Sequence, residues 1–71
     1  MTNTELLEQK IAESGKKKVY LAEKVGLSPQ GFRNCCSNKS EFRASHIQIL
    51  CDELNIDLKE RQAIFFAKVG A

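Results

Sequence analysis

The turn predicted at Gly26 constrains the fold of this 71-residue chain more than any other sequence feature. Leu21 and Val25 lie four residues apart, which is the spacing of apolar residues on one face of a helix. Gly26 can adopt the positive φ that ends a helix at little cost, and Ser28-Pro29 is typical of the N-cap and first position of the next helix. The segment therefore predicts two short helices joined by a tight turn, a helix-turn-helix.

Length and composition predict one compact, soluble domain over residues 1–71. The chain is 42% apolar and 28% charged, which is typical of a folded chain rather than a disordered one. No apolar run in the sequence approaches the ~20 residues needed to cross a bilayer. The first residues lack the basic and apolar regions of a signal peptide. We therefore expect a cytoplasmic protein with no membrane partner.

The three cysteines and the single histidine argue against a disulfide framework and against a zinc site. We expect Cys35 and Cys51 to be small core residues and Cys36 to be a surface thiol. The sequence contains no Ser/His/acid arrangement that such a fold would assemble and no phosphate-binding glycine loop. We therefore expect a binding protein without a catalytic site, metal or cofactor, and His46 as a surface residue.

Apolar periodicity predicts helices throughout the chain and no strand. Thr2 and Glu5 can form a capping box before the first helix, and Ser45 and Gln48 can form one at the fourth. Asp57 begins a fifth helix in the same way, with an acidic residue three positions later. The expected fold is all-α, with helices over about 4–14, 18–25, 28–37, 45–54 and 57–68.

Positive charge is concentrated in the half of the chain that holds the predicted helix-turn-helix. Residues 1–43 contain eight Lys or Arg against five Asp or Glu, whereas residues 44–71 contain three against four. Such an asymmetry is typical of a nucleic-acid-binding face, and a solvated basic surface is the alternative interpretation.

Several motifs follow one another in a characteristic order: an alanine-centred helix, a turn glycine, a serine that opens the next helix, an Asn-Lys loop and a fourth helix with regularly spaced Leu. The residues are Leu21-Ala22, Val25-Gly26-Leu27-Ser28, Phe32, Asn38-Lys39, Ile47, Leu50-Cys51 and Leu54-Asn55-Ile56. Over residues 4–58 this order resembles the Xre-type helix-turn-helix family of lambdoid phage repressors and Cro proteins. Ser40-Glu41-Phe42 and Ile64-Phe65-Phe66-Ala67 resemble segments of small Xre-like proteins from Gram-positive prophages and mobile elements.

The resemblance implies a lambda-repressor-like domain that regulates transcription by binding a double-stranded DNA operator. Because the chain ends soon after the fifth predicted helix, we expect the minimal, Cro-like class. The implied recognition helix begins at Ser28 and enters the major groove, and the implied base contacts are Ser28, Gln30, Arg33 and Asn34. Gln30 and Asn34 can contact adenine, and Arg33 can contact guanine or phosphate. Pro29 and Gly31 supply no base-reading side chain, which predicts modest specificity or dependence on DNA shape.

The resemblance also implies contacts with the phosphate backbone on both sides of the recognition helix. Relatives often begin the second helix with Thr or Ser followed by Gln. Lys17 and Lys18 stand there in this chain, so the N-cap is lost while phosphate binding is retained. On the other side, the implied phosphate contacts are Asn38, Lys39 and Arg43.

Two alternatives remain open at the level of sequence. Ile64, Phe66 and Val69 either close the small core or form a two-fold dimer contact on DNA. The same fold can also serve as an antirepressor or antitoxin that sequesters a partner repressor protein. That second function stays in consideration because the recognition helix carries residues that are apolar or ambiguous in polarity, namely Phe32, Cys35 and Cys36.

Overall fold

The structure is a computed structural model that describes residues 1–66. These residues form five α-helices and no strand, which confirms the all-α prediction. The helices are α1 Thr4–Ser14, α2 Lys18–Val25, α3 Pro29–Cys36, α4 Ala44–Leu54 and α5 Leu58–Phe65. The first four agree with the predicted ranges to within one residue at either end. The prediction that the fifth helix runs to residue 68 is wrong, because Phe66 is already the C-cap of α5.

Three helices end at residues in the left-handed region, as the turn chemistry requires. Gly15 ends α1 with φ 72° and Gly26 ends α2 with φ 82°. Asn55 adopts φ 53° at the end of α4, a conformation that asparagine tolerates better than most residues. The predicted stop at Gly26 is confirmed, and all three ends follow from residue chemistry within a single turn.

The start of α1 differs from the prediction. Asn3 is the N-cap, and its Oδ1 accepts a hydrogen bond from the backbone N–H of Leu6 at 3.2 Å. The predicted capping box of Thr2 and Glu5 is wrong because Thr2 is buried instead of capping the helix. The backbone N–H of Asn3 also donates to the carbonyl of Ile64, at 2.6 Å, and so attaches the N-terminal segment to α5.

The start of α4 also differs, whereas the start of α5 is confirmed. The backbone N–H of Arg43 donates to Nδ1 of His46 at 3.2 Å, so α4 begins one residue earlier than predicted and the box at Ser45 and Gln48 is wrong. At α5, Asp57 Oδ1 accepts from the backbone N–H of Glu60 at 2.8 Å, and the backbone N–H of Asp57 donates to Glu60 Oε1 at 3.3 Å. This is the predicted capping box.

One apolar core joins all five helices. α2 packs against α3 and α4, and α1 packs against α3, α4 and α5. Phe42 anchors the loop between α3 and α4, with its ring edge-on to Phe32 at 6.0 Å and to Phe65 at 5.6 Å. The buried apolar residues are Leu7, Ile11, Leu21, Ala22, Val25, Phe32, Cys35, Cys36, Phe42, Ile47, Leu50, Cys51, Leu54, Ile56, Ile64 and Phe65.

All three cysteines are buried, which differs from the prediction for one of them. Cys35 and Cys51 lie in the core as expected. Cys36 is also buried, which corrects its assignment as a surface thiol. Burial raises the pKa of the Cys36 thiol to about 11, so it stays protonated at neutral pH. Within residues 1–66, no helix has the length and apolar character needed to cross a membrane.

Candidate nucleic-acid interface

The tight connection between α2 and α3 determines which face of α3 meets solvent. Gly26, Leu27 and Ser28 join the two helices, and Ser28 Oγ caps α3 by accepting from the backbone N–H of Gly31 at 3.0 Å. The buried residues of α3, which are Phe32, Cys35 and Cys36, pack into the core. The opposite face of α3 is therefore presented to solvent, and it carries the residues expected to read bases.

These candidate readers lie together on that face. Gln30 and Arg33 are exposed, and Asn34 is half-buried. Gln30 Nε2 donates to Asn34 Oδ1 at 3.0 Å, and Arg33 Nη2 donates to Gln30 Oε1 at 3.2 Å. We call these three residues the α3 array, because the two hydrogen bonds join them into a single polar surface.

An open groove borders the α3 array and contains basic residues from two other elements. We call it the α3 groove, and it is lined by Glu8, Lys18, Gln30, Arg33, Asn34, Cys36, Ser37 and Lys39. Lys18 comes from the first turn of α2, and Lys39 comes from the loop after α3. The structure therefore brings two of the predicted phosphate contacts beside three of the four predicted base readers. The fourth, Ser28, caps α3 and does not line the groove.

Glu8 is a residue of this groove that the sequence analysis did not identify. Its Oε2 accepts a hydrogen bond from Lys18 Nζ at 2.7 Å, and about two fifths of each side chain remains exposed, 45% for Glu8 and 41% for Lys18. An ion pair so open to water contributes little to stability, typically ~0–1 kcal/mol. The ammonium group of Lys18 can therefore exchange Glu8 for another anion at small cost.

The two lysines before Lys18 occupy different places. Lys17 is the exposed N-cap residue of α2, and among the described residues no side chain caps this helix start, as predicted. Lys16 is held by α4 instead: its Nζ donates to the carbonyl of Glu53 at 2.7 Å and to Glu53 Oε1 at 3.0 Å. The hydrogen bonds from Lys16 and Tyr20 lower the pKa of the Glu53 carboxyl below its ordinary value.

Asn38 has a structural role that sequence reasoning missed. It adopts φ 65°, its Oδ1 accepts from the backbone N–H of Thr2 at 3.1 Å, and its Nδ2 donates to the Thr2 carbonyl at 2.9 Å. Both polar atoms of the side chain are thus engaged within the protein. Asn38 holds the loop in place, and the exposed Lys39 beside it is the member of this pair that faces the groove.

The remaining predicted site residues lie elsewhere or in the core. Arg43 is exposed at the start of α4 and is not one of the residues that line the α3 groove. Ile64 is 1% exposed and packs in the core, which is the first of the two alternatives that the sequence left open for it. Phe66 is 48% exposed and borders a small pocket with Met1, so it remains a surface residue. Val69 lies outside the described residues.

The site is a polar groove whose chemistry is hydrogen bonding and charge. Among residues 1–66, no group of three or more His, Cys, Asp or Glu side chains is placed to hold a metal ion. Gln30, Arg33 and Asn34 supply polar groups on α3, and Lys18 and Lys39 supply positive charge in the same groove. Comparisons of the chain with protein-family models, with curated proteins and with solved structures found no match.

Proposed function

We propose that this protein is a sequence-specific, DNA-binding transcriptional regulator of the phage repressor and Cro type, acting in the cytoplasm with α3 in the major groove of an operator. The observation that carries the proposal is the α3 groove, which Gln30, Arg33 and Asn34 line together with Lys18 and Lys39. Side chains of this kind recognise base edges, and lysines bind the phosphates that flank them.

The dimensions of α3 support this assignment. The helix has eight residues, and an α-helix with its side chains is about 10–12 Å across. The major groove of B-DNA is ~12 Å wide and admits one α-helix. Arg33 and Gln30 are exposed without covering neighbours, so a duplex can approach them without unfolding any helix.

The start of α2 supports a phosphate contact beside the recognition helix. The backbone N–H groups of a first helical turn have no partner within the helix and carry partial positive charge. Lys17 and Lys18 add two full charges at this point, and no described side chain competes for the N–H groups. Backbone donors combined with lysines suit a DNA phosphate oxygen.

The alternative function, sequestration of a partner repressor by the same fold, loses its sequence argument in this structure. That argument depended on an apolar surface from Phe32, Cys35 and Cys36. All three side chains are buried within the protomer, at 0%, 4% and 5% exposure. The face of α3 that remains exposed is polar and hydrogen-bonding, which favours DNA over an apolar protein partner.

A salt titration of duplex binding tests the proposal. The purified chain is mixed with a fluorescent random-sequence duplex, and its affinity is measured by anisotropy between low and physiological salt. If the protein contacts ~4 phosphates, affinity falls by roughly 100-fold between 50 mM and 200 mM salt. Lys39→Ala should lower the slope of log affinity against log salt concentration by about one, because it removes one phosphate contact. The matched variant Lys59→Ala on α5 should leave that slope unchanged. Absence of duplex binding at low salt, together with tight binding to a repressor protein, would refute the proposal.

A further inference from the structure

Gln30, Arg33 and Asn34 form one hydrogen-bonded array on the surface of α3. Gln30 Oε1 accepts from the Arg33 guanidinium at 3.2 Å, and Gln30 Nε2 donates to Asn34 Oδ1 at 3.0 Å. Spacings of three and four residues place these side chains next to each other on the helix surface. What the array offers to DNA depends on the atoms that these two hydrogen bonds leave free.

The free atoms are predominantly hydrogen-bond donors. The amide oxygens of Gln30 and Asn34 each already accept a bond within the array. A guanidinium carries five N–H donors and a primary amide carries two. Arg33 therefore keeps most of its donors, Asn34 keeps both amide hydrogens, and Gln30 keeps its second one. Such an array matches a base edge that presents adjacent acceptors.

In the major groove, guanine has that edge. Its N7 and O6 both accept hydrogen bonds, whereas adenine presents an amino donor beside N7 and cytosine presents an amino donor. Bidentate recognition of adenine by Gln or Asn needs the donor and the acceptor of one amide. In Gln30 and Asn34 the amide oxygen already uses one of its two lone pairs within the array, so the array favours an edge of adjacent acceptors over the adenine contacts that each residue suggests when it is considered alone.

We propose that the α3 array selects a guanine in duplex DNA, with Arg33 contacting the base and Gln30 serving as a positioning residue. This inference rests on the proposed function, because it requires α3 to lie in the major groove. Gln30 Oε1 holds the guanidinium, and Asn34 holds Gln30 from the next turn. The two amides reduce the rotamer freedom that Arg33 loses on binding, so its orientation is set before DNA arrives.

Selection from a duplex library identifies the preferred base. The purified chain is used to enrich binding sites from duplexes with about 20 random base pairs, or two helical turns. The expected site contains a guanine whose replacement by 7-deazaguanine, which lacks the N7 acceptor, weakens binding about tenfold. The same replacement at guanines outside the site should leave the affinity unchanged.

Variants of the array separate base contact from positioning. Arg33→Lys keeps the charge but removes the planar fork, so the guanine preference should fall about tenfold while binding to random duplex stays within about twofold. Gln30→Met removes the acceptor at similar length and should lower the preference about fivefold. Gln30→Glu retains an oxygen for Arg33 and should keep the preference. Circular dichroism of each variant verifies that the helices are intact.

The outcomes distinguish this inference from the function on which it rests. Failure to bind any duplex at low salt overturns the proposed function. An enriched site without a 7-deazaguanine-sensitive position, or a preference that Arg33→Lys leaves unchanged, overturns the guanine contact while DNA binding stands. An equal preference in Gln30→Met and the unaltered chain overturns the positioning role of Gln30.

Discussion

Lys16 and Lys18 belong to the same run of three lysines, but the tertiary structure places them in different environments. Their side chains are similarly exposed, at 37% and 41%. Lys16 donates to both the carbonyl and the carboxylate of Glu53, and its ammonium lies 5.8 Å from the Tyr20 ring centroid. Lys18 has one described partner, the carboxylate of Glu8, in the open α3 groove. Partners, rather than exposure, distinguish a structural lysine from one that can bind a ligand.

The loop after α3 shows the same division between neighbouring residues. Asn38 is committed to the backbone of Thr2 through both polar atoms of its side chain. Lys39 is exposed and borders the groove. In both segments a residue that joins distant parts of the chain stands close to one that faces the candidate DNA surface. Substitutions should therefore affect either folding or binding, and the variants below test that separation.

Replacement of Asn38 should have the largest effect, on stability. Asn38→Ala removes two hydrogen bonds and puts a side chain that disfavours φ 65° into the left-handed region, so the free energy of unfolding should fall by roughly 2–3 kcal/mol. Urea denaturation measures the change. Asn38→Gly loses the same bonds but accepts the backbone conformation, and it should cost about 1 kcal/mol less. Equal losses in the two variants would contradict the role of the backbone conformation.

Replacement of Lys18 should have the largest effect on binding. Lys18→Ala removes the proposed phosphate contact and leaves the Glu8 carboxylate in the groove without its partner, so affinity for every duplex should fall about fivefold to tenfold near 100 mM salt. Anisotropy titrations on random and selected duplexes measure this loss. Lys16→Ala is the matched control, and it should leave duplex affinity within about twofold. A larger loss of affinity in Lys16→Ala than in Lys18→Ala would contradict the conclusion that Lys18, rather than Lys16, faces the DNA.

Replacement of Glu8 should have a smaller effect of opposite sign. Glu8→Gln removes a negative charge from the α3 groove and frees the Lys18 ammonium, so duplex affinity should rise about twofold to fivefold at low salt. The sequence preference should stay the same because Glu8 is not part of the α3 array. Glu5→Gln on the same helix is the control, since Glu5 does not line the groove. No gain in Glu8→Gln would show that Glu8 does not compete with phosphate.

The smallest effect concerns the stability contributed by Glu53 and its dependence on pH. Lys16 and Tyr20 lower the pKa of this carboxyl in the folded state, so the stabilisation is present above the ordinary glutamate pKa. It is lost as pH falls through the lowered value. We expect the unaltered chain to be slightly more stable than Glu53→Gln at pH 7, with the difference disappearing in more acidic solution. Paired urea midpoints across this pH range measure it, and a difference that persists at low pH would contradict the explanation.

Much of the secondary structure could be predicted because its signals are local. Gly26 ends α2, Ser28 caps α3, and Asp57 with Glu60 caps α5, and in each case the atoms involved lie within one helical turn. The errors at the starts of α1 and α4 concern which of several neighbouring residues serves as the N-cap. Asn3 displaced Thr2 as the cap because Thr2 is fixed elsewhere, by Asn38.

The candidate site was only partly predictable. The hydrogen bonds of the α3 array join residues three and four positions apart, so the sequence contained that signal, although the prediction treated the side chains separately. Glu8 meets Lys18 only because α1 and α2 fold together, and no local pattern marks that contact. The burial of Cys36 and Ile64 likewise depends on which helix faces cover each residue.

The sequence by itself determined the five helices, most of their ends and the polar character of the exposed face of α3, because these properties depend on neighbours along the chain. Only the tertiary structure decided which lysine is committed to Glu53, which one faces the groove, and which polar side chains hold the N-terminal segment. Those contacts join residues that are ten, 36 and 37 positions apart. Contacts at such separations form only when helices pack, so no local spacing can specify them.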